Sequence, residues 1–247
     1  MNLLAGVNSY YYGFGRGFYG WGFDPTYLLA ILGLVLTLIA SARVKGTFQK
    51  YSRVQTRSGM TGAMAAEQVL HACGIYHVSI QRVSGDLTDH YDPRSKTLRL
   101  SDSTYGSSSV AAVCVAAHEC GHAVQDQLQY GPLVLRSTLV PAANFGSTLA
   151  WPVFIAGLIF SMRPLVTVGI VLFCLAVLFQ LVTLPVEFNA SSRAMKILQD
   201  TGMLSQEELA GGKKVLSAAA MTYVAALASS LLQLLRLILL ARRNDRD

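Results

Sequence analysis

The sequence predicts a mainly α-helical protein that crosses a membrane several times, and three observations carry that expectation. Hydrophobic residues make up 52% of the 247 and charged residues only 14%, where soluble domains average about a quarter charged. The apolar residues gather into long runs at 27–42, 139–160, 165–184 and 215–240, on the scale of the ~20 residues that cross a bilayer as a helix. One long polar stretch, 43–137, stands between the first run and the rest. With a mean hydropathy of +0.41, these features exclude disorder, a coiled coil, a collagen-like repeat and a secreted disulfide scaffold.

Residues 1–25 are rich in Tyr, Phe, Trp and Gly and contain one basic residue, Arg16. They lack the charged start of a secretory signal and are expected to lie as an aromatic segment at the membrane interface. Residues 26–42 form the first expected transmembrane helix. Arg43, Lys45, Lys50, Arg53 and Arg57 follow at once, which by the positive-inside rule places the N-terminus outside and residue 43 onward in the cytoplasm. That topology also accounts for the net charge of +6, because ten of the 20 Lys and Arg lie between Arg43 and Arg136. No nucleic-acid partner is needed to explain it; the expected partners are the lipid bilayer and a peptide or membrane-protein substrate.

Within the polar unit, 43–137, Met64 to Ala72 reads as a short amphipathic helix stopped near Gly74, and Val78 to Val83 as a strand. Asp86 to Pro93 reads as a turn, in which Asp89 and Asp92 bond the local backbone. Thr97 to Ser101 alternates as a second strand. Ser107 to Ser109 then cap a helix reaching about Gln129. Leu139 to Phe160 and Leu165 to Leu184, joined only by Ser161-Met162-Arg163-Pro164, form a transmembrane hairpin (138–184) that returns the chain to the cytoplasm. Pro185 is placed to open a new helix, spanning 185–214. The last segment, 215–247, is an apolar helix with a basic tail. Export of Arg242, Arg243 and Arg246 is unfavourable and Arg236 would have to snorkel, so three spans are expected, with the last helix in the membrane boundary and its tail on cytoplasmic headgroups.

His118-Glu119-Cys120-Gly121-His122 is an HExxH sequence within an expected helix. The i, i+4 spacing puts both imidazoles on one face, one turn apart, where they can share a tetrahedral Zn²⁺. Glu119 lies beside that face and is the general base in sites of this kind. Chance placement of the five His and five Glu would produce the pattern only ~0.002 times in such a chain. The four cysteines show no CxxC spacing and read as packing residues.

A hydrolytic zinc site takes three protein ligands and leaves a fourth position open. A His six residues beyond His122 would complete one such set, but that position is Leu128, and no Glu occurs between Glu119 and Glu187. Asp126 lies two turns beyond His118, too far along one helix. Glu207 and Glu208 fall in a Ser-Gln-Glu-Glu helix-capping pattern. Glu187, returning to the cytoplasmic boundary after the hairpin, is the best third ligand, with His90 as a competitor. The resulting fold class is mainly α: a multi-pass membrane protein whose zincin-like unit, an HExxH helix plus a small sheet, is split by a transmembrane hairpin.

An HExxH helix, an interposed hairpin and a downstream helical Glu resemble the layout of the HtpX-like and CAAX-prenyl-type membrane metallopeptidases. The chain is more closely similar to the YugP-like neutral zinc membrane peptidases of bacteria. The stretches that carry the likeness are Leu87 to Pro93, Ala116 to Ala123, Leu184 to Ser191 and Ala219 to Ala225. The resemblance implies a single zinc, His118, His122 and Glu187 as ligands, and Glu119 as catalytic base. HtpX-like enzymes often carry Asp four residues after the ligand Glu. Here Ser191 stands there, so support for a ligand His falls to an uncharged hydroxyl or to Asn189.

Tyr223 and Arg193 are candidates to stabilise a tetrahedral intermediate, and the strand at Thr97 to Ser101 is placed to hold substrate by β-addition. The leading expectation is therefore a zinc endopeptidase of the cytoplasmic membrane with its site facing the cytoplasm. The competing reading is a zinc-binding membrane adaptor that cleaves nothing, which would not need Glu119. A transporter is disfavoured by the lack of paired broken spans.

Overall fold

A computed structural model describes residues 24–244; the aromatic N-terminal segment, for the most part, and the last three residues, Arg246 among them, lie outside them. The elements in chain order are α1 (Tyr27–Tyr51), α2 (Gly62–Ala72), β1 (Ser79–Val83), β2 (His90–Asp92), β3 (Thr97–Ser101), α3 (Asp102–Tyr105), α4 (Val110–Gln127), α5 (Gly131–Ile159), α6 (Arg163–Asp200) and α7 (Gln206–Asn244).

Four of these helices, α1, α5, α6 and α7, are long and apolar enough to cross a membrane, and at most 28% of any apolar window is buried within the protein. Their outward side chains therefore need an apolar surrounding. Helices α5 and α6 form the expected hairpin, closely packed where small residues face it: Gly157 meets Val166 and Gly169 meets Phe154. Such contacts let helix backbones approach where lipid gives no hydrophobic drive to pair.

Helix α7 departs from expectation. It does not lie across the ends of the other helices but runs antiparallel to α1 for the whole length of α1. Gly211 lies beside Tyr51 and Gly33 beside Ser229, and the Arg236 guanidinium sits 4.4 Å over the Tyr27 ring. Leu237 packs with Phe154 and Val166 near the hairpin turn, and Gln180 donates to Ser230 Oγ at 2.8 Å. The four long helices are thus packed as one bundle, all four able to span by length and composition. The cost assigned to Arg236 is reduced by a cation–π contact; Asp24 at the same end is held below the usual carboxylate range chiefly by the Thr26 N–H, with smaller help from Arg243 and Arg236.

A second correction concerns Pro185, which opens no helix. It lies inside α6. A proline forfeits one backbone hydrogen bond, but Val186, Glu187 and Ala190 beside it are buried, and the helix continues without a break through the position. Helices likewise run unbroken through residues 42, 137, 184 and 214, where the composition changes.

The polar unit sits at the end of the bundle where α1 finishes and α7 begins. Its core joins α2, α4, β3 and the end of α6 through Val69, Leu70, Leu98, Leu100, Val113 and Leu198, all nearly inaccessible. Thr61 caps α2 by accepting from Met64 N–H at 3.3 Å, and Ser109 caps α4 by accepting from Ala112 N–H at 3.2 Å. The sheet has the order β1-β3-β2, with β1 parallel to β3 and β2 antiparallel to it. Strand β2 interrupts the expected turn, because the Asp89 carboxylate accepts from Ser101 N–H and Oγ, both at 2.8 Å, and draws the segment alongside β3. Asp92 does turn the chain, accepting from Arg94 N–H and Ser95 Oγ. As the middle strand, β3 has no edge open for β-addition; the outer edge beside α4 belongs to β2.

Candidate metal centre

Helix α4 presents His118 and His122 on one face, with ring centroids 4.8 Å apart and edges turned to faces. What completes the group is the crossing of α6. Gly121 stands where the helices meet, and a Cβ there would lie 2.5 Å from the Ala190 carbonyl oxygen. Only glycine permits this approach, and Ala190 and Ala194 on α6 are correspondingly small and buried. The crossing sets Glu187 and Ser191, one turn apart, against the two histidines. Glu187 Oε2 lies 3.3 Å from His118 Nε2 and 3.6 Å from His122 Nε2.

The donor set can be tested against zinc on this geometry. Bonds of 2.0–2.1 Å in a tetrahedral site place ligand atoms about 3.4 Å apart, which the Glu187–histidine separations match. Glu187 is 2% exposed and, although Oε1 meets Arg136, its Oε2 has no hydrogen-bond partner, a buried orphan oxygen aimed at the histidines that a metal ion would satisfy. Two imidazoles and one carboxylate, leaving a position open, are a hydrolytic zinc set rather than a closed structural one. The three residues fit the ion, and among the described residues they are the one such group found.

The surroundings fix which nitrogens face inward. Gln125, wholly buried, donates through Nε2 to the Val186 carbonyl at 2.8 Å and to Asn189 Oδ1 at 3.0 Å. Its Oε1 is thereby turned to His122 Nδ1 at 3.0 Å, where only an N–H can answer it, so Nε2 of His122 is the free ligand atom. Ser191 Oγ lies 3.0 Å from His118 Nδ1 and can play the same part. Arg136 Nη1 donates to Glu187 Oε1 at 3.1 Å, occupying the oxygen that faces away from the histidines.

Glu119 is 9% exposed, and its Oε2 accepts the Tyr91 backbone N–H from the outer edge of β2 at 3.1 Å. It lies where two clefts meet. The first, about 240 Å³, includes His118, Val115, Leu216 and Ala219; the second, about 280 Å³, includes His122, His90, Arg136 and Pro93. Asp89, Glu119, Glu187 and Tyr223 line both.

The other sequence candidates fall away from the group. Asp126 accepts from the Tyr91 hydroxyl at 2.7 Å and pairs with Lys96. His90 lines the second cleft with its Nδ1 on the Thr88 carbonyl at 2.9 Å. Glu208 caps α7 by accepting from Ser205 N–H at 2.6 Å, and Glu207 pairs with Arg57. Arg193 donates to Asn189 at 2.7 Å and lies over the Tyr130 ring, lining neither cleft, so of the two candidate stabilisers only Tyr223 is placed. Cys114 and Cys120 are buried core residues; burial pushes the Cys114 thiol up to about 12, which keeps that thiol protonated. Sequence reasoning missed Gln125 and Arg136. Gln125 recurs at i+3 from His122 and i+7 from His118, and Arg136 is the lone charge on apolar α5; each was a legible signal.

Four helices able to span a membrane and a largely enclosed His–His–Glu group able to hold a metal ion are the features of the membrane metalloprotein class. The chain belongs to the family described as "Putative neutral zinc metallopeptidase", whose profile matches residues 26–242. It is 48% identical over 219 residues to the Bacillus subtilis (strain 168) protein described as "Putative membrane protease YugP", covering 89% of this chain and 97% of that relative. No solved structure matches it.

Proposed function

We propose that this chain is a membrane-bound zinc endopeptidase, gluzincin-like in its ligand set, that hydrolyses peptide bonds of protein substrates at the cytoplasmic face of the cell membrane. One observation carries the reading: Glu119 stands at the junction of two clefts, beside a buried His118–His122–Glu187 group whose spacing suits one zinc ion. Zinc in such a set supplies Lewis acidity toward a carbonyl oxygen and toward water.

The rest of the reaction falls to the chain's own residues. Glu119 takes a proton from water as the water oxygen bonds to the scissile carbonyl carbon and the C=O π bond opens, and gives that proton to the departing amine as C=O re-forms and the C–N bond breaks. The Tyr91 N–H holds Glu119 in place for both transfers. Tyr223, on the shared wall of the clefts, offers its hydroxyl to the carbonyl oxygen as negative charge grows there. Gln125 and Ser191 hold the imidazoles by their Nδ1 atoms, and Arg136 holds the outer oxygen of Glu187. The basic run from Arg43 to Arg57 supports the cytoplasmic placement.

The test is Glu119→Gln, which keeps the side-chain shape while removing the base. The purified variant should bind one zinc per chain, like the wild type, and lose ~10²–10⁴-fold in peptide hydrolysis. Zinc-loaded wild type that cleaves neither casein nor membrane-protein substrates would instead favour a zinc-binding adaptor.

A further inference from the structure

The two clefts that flank Glu119 differ in kind. Apart from the residues they share, the first is walled mainly by apolar side chains, among them Val44, Val115, Leu216, Ala219 and Ala220, with His118, Ser191 and Thr222 as its polar members. The second sets His90, His122, Arg136 and Ser137 beside Pro93, Leu133 and Val140, and so mixes polar and apolar lining more evenly. The one further carboxylate in the first cleft, Asp89, is spent on Ser101. The apolar lining also does not stop at the cleft. Ser191, Leu216 and Ala220 belong both to it and to an outer groove between α6 and α7, formed with Phe188, Met195 and Leu209 and carrying Lys213 as its single charge.

We infer that this cleft and groove together bind an apolar run of the substrate, beginning with a large side chain seated against Ala219 next to the cleaved bond. The inference rests on the peptidase reading and adds the substrate class to it. A cleft of about 240 Å³ holds one large aliphatic or aromatic side chain, and its small floor at Ala219 and Ala220 is what gives that side chain room. An acidic side chain entering there would lose its hydration and meet the carboxylates of Asp89, Glu119 and Glu187. The apolar residues that follow leave along the groove beside Phe188.

Peptides of one frame, differing by Leu or Ser at each position flanking the cleaved bond, test this. Leu at one adjacent position should raise kcat/KM by ~10–100-fold over Ser. Ala219→Phe, which fills the cleft, should reverse that ratio while peptides with Gly there are still cut. Ala210→Glu, an exposed change on the groove wall, should spare the adjacent position and remove the preference at those further out. Equal cleavage of Leu and Ser peptides at every position, or an equal slowing of both by Ala219→Phe, would overturn the inference. A protein that cleaves nothing still answers through binding of leucine and glycine hydroxamates to the zinc-loaded chain. The leucine probe should bind ~10-fold tighter, with the difference lost in Ala219→Phe, and equal affinities would overturn the apolar cleft independently of the peptidase reading.

Discussion

At the scale of single residues, the centre is held by side chains that do not themselves touch the proposed ion. Gln125 uses both amide hydrogens and its oxygen at once, so it ties His122 to the α6 backbone immediately before Glu187. Replacement by Leu keeps the volume but releases the His122 ring. Zinc affinity of Gln125→Leu should fall ~10–100-fold with the helices still folded. A competitive chelator titration measures it, and affinity equal to wild type would show that the packing of His122 alone suffices. Glu187→Ala removes the carboxylate itself and should lose at least ~10-fold, the scale of a supporting residue serving as the lower bound. Full zinc occupancy in that variant would point to a different third ligand, with His90 the nearest other imidazole in the second cleft.

Among the elements, the decisive contact is the crossing of α4 and α6, and Gly121 is its test. With the Ala190 carbonyl 2.5 Å from any added Cβ, Gly121→Ala forces two backbones apart rather than a flexible side chain aside. Overpacking of this kind costs about 1–3 kcal/mol. The larger effect should be on the site, since a shift of even ~1 Å moves Glu187 off the histidines. Reduced thermal stability together with weakened zinc binding is the expected pair of results, whereas a stable variant with wild-type affinity would mean that α6 is free to adjust. The sheet teaches a related lesson. Thr97 to Ser101 reads correctly as a strand, yet its use as a substrate edge fails because pairing order is set by contacts distant in sequence, here Asp89 with Ser101 and Tyr91 with Leu98. The site-facing edge is a three-residue strand too short for alternation to reveal.

For the whole molecule, the alignment of α7 with α1 sets where the C-terminus emerges. Because α1 ends and α7 begins at the polar unit, the α7 end bearing Arg242 lies with the start of α1 and the hairpin turn, on the side opposite the metal centre. A cysteine at Arg242, with Cys174 replaced, should therefore react with an impermeant thiol reagent in intact cells. Protection until the cells are permeabilised would restore the arrangement with three spans. The Arg236–Tyr27 contact lowers the cost of a fourth span. A lone Arg in mid-bilayer costs ~2.5–3.5 kcal/mol on insertion scales, but one over an aromatic ring at the helix end costs less.

The sequence by itself determined what rests on short-range pattern: the membrane-capable helices from their apolar runs, the cap at Ser109, the stop at Gly74, and the pairing of His118 with His122, which one helical turn dictates. It also singled out Glu187, because few acidic residues lie where a ligand could. Tertiary structure alone decided what depends on how those helices meet. Gly121 beneath Ala190 brings Glu187 to the histidines across about 65 residues of chain, α6 continues through Pro185, and Tyr27 receives Arg236. It likewise made Gln125 and Arg136 part of the site. The physical reason is that propensity and periodicity act over a few residues, whereas a metal centre built from two helices depends on a close-packed crossing whose energy belongs to neither helix alone.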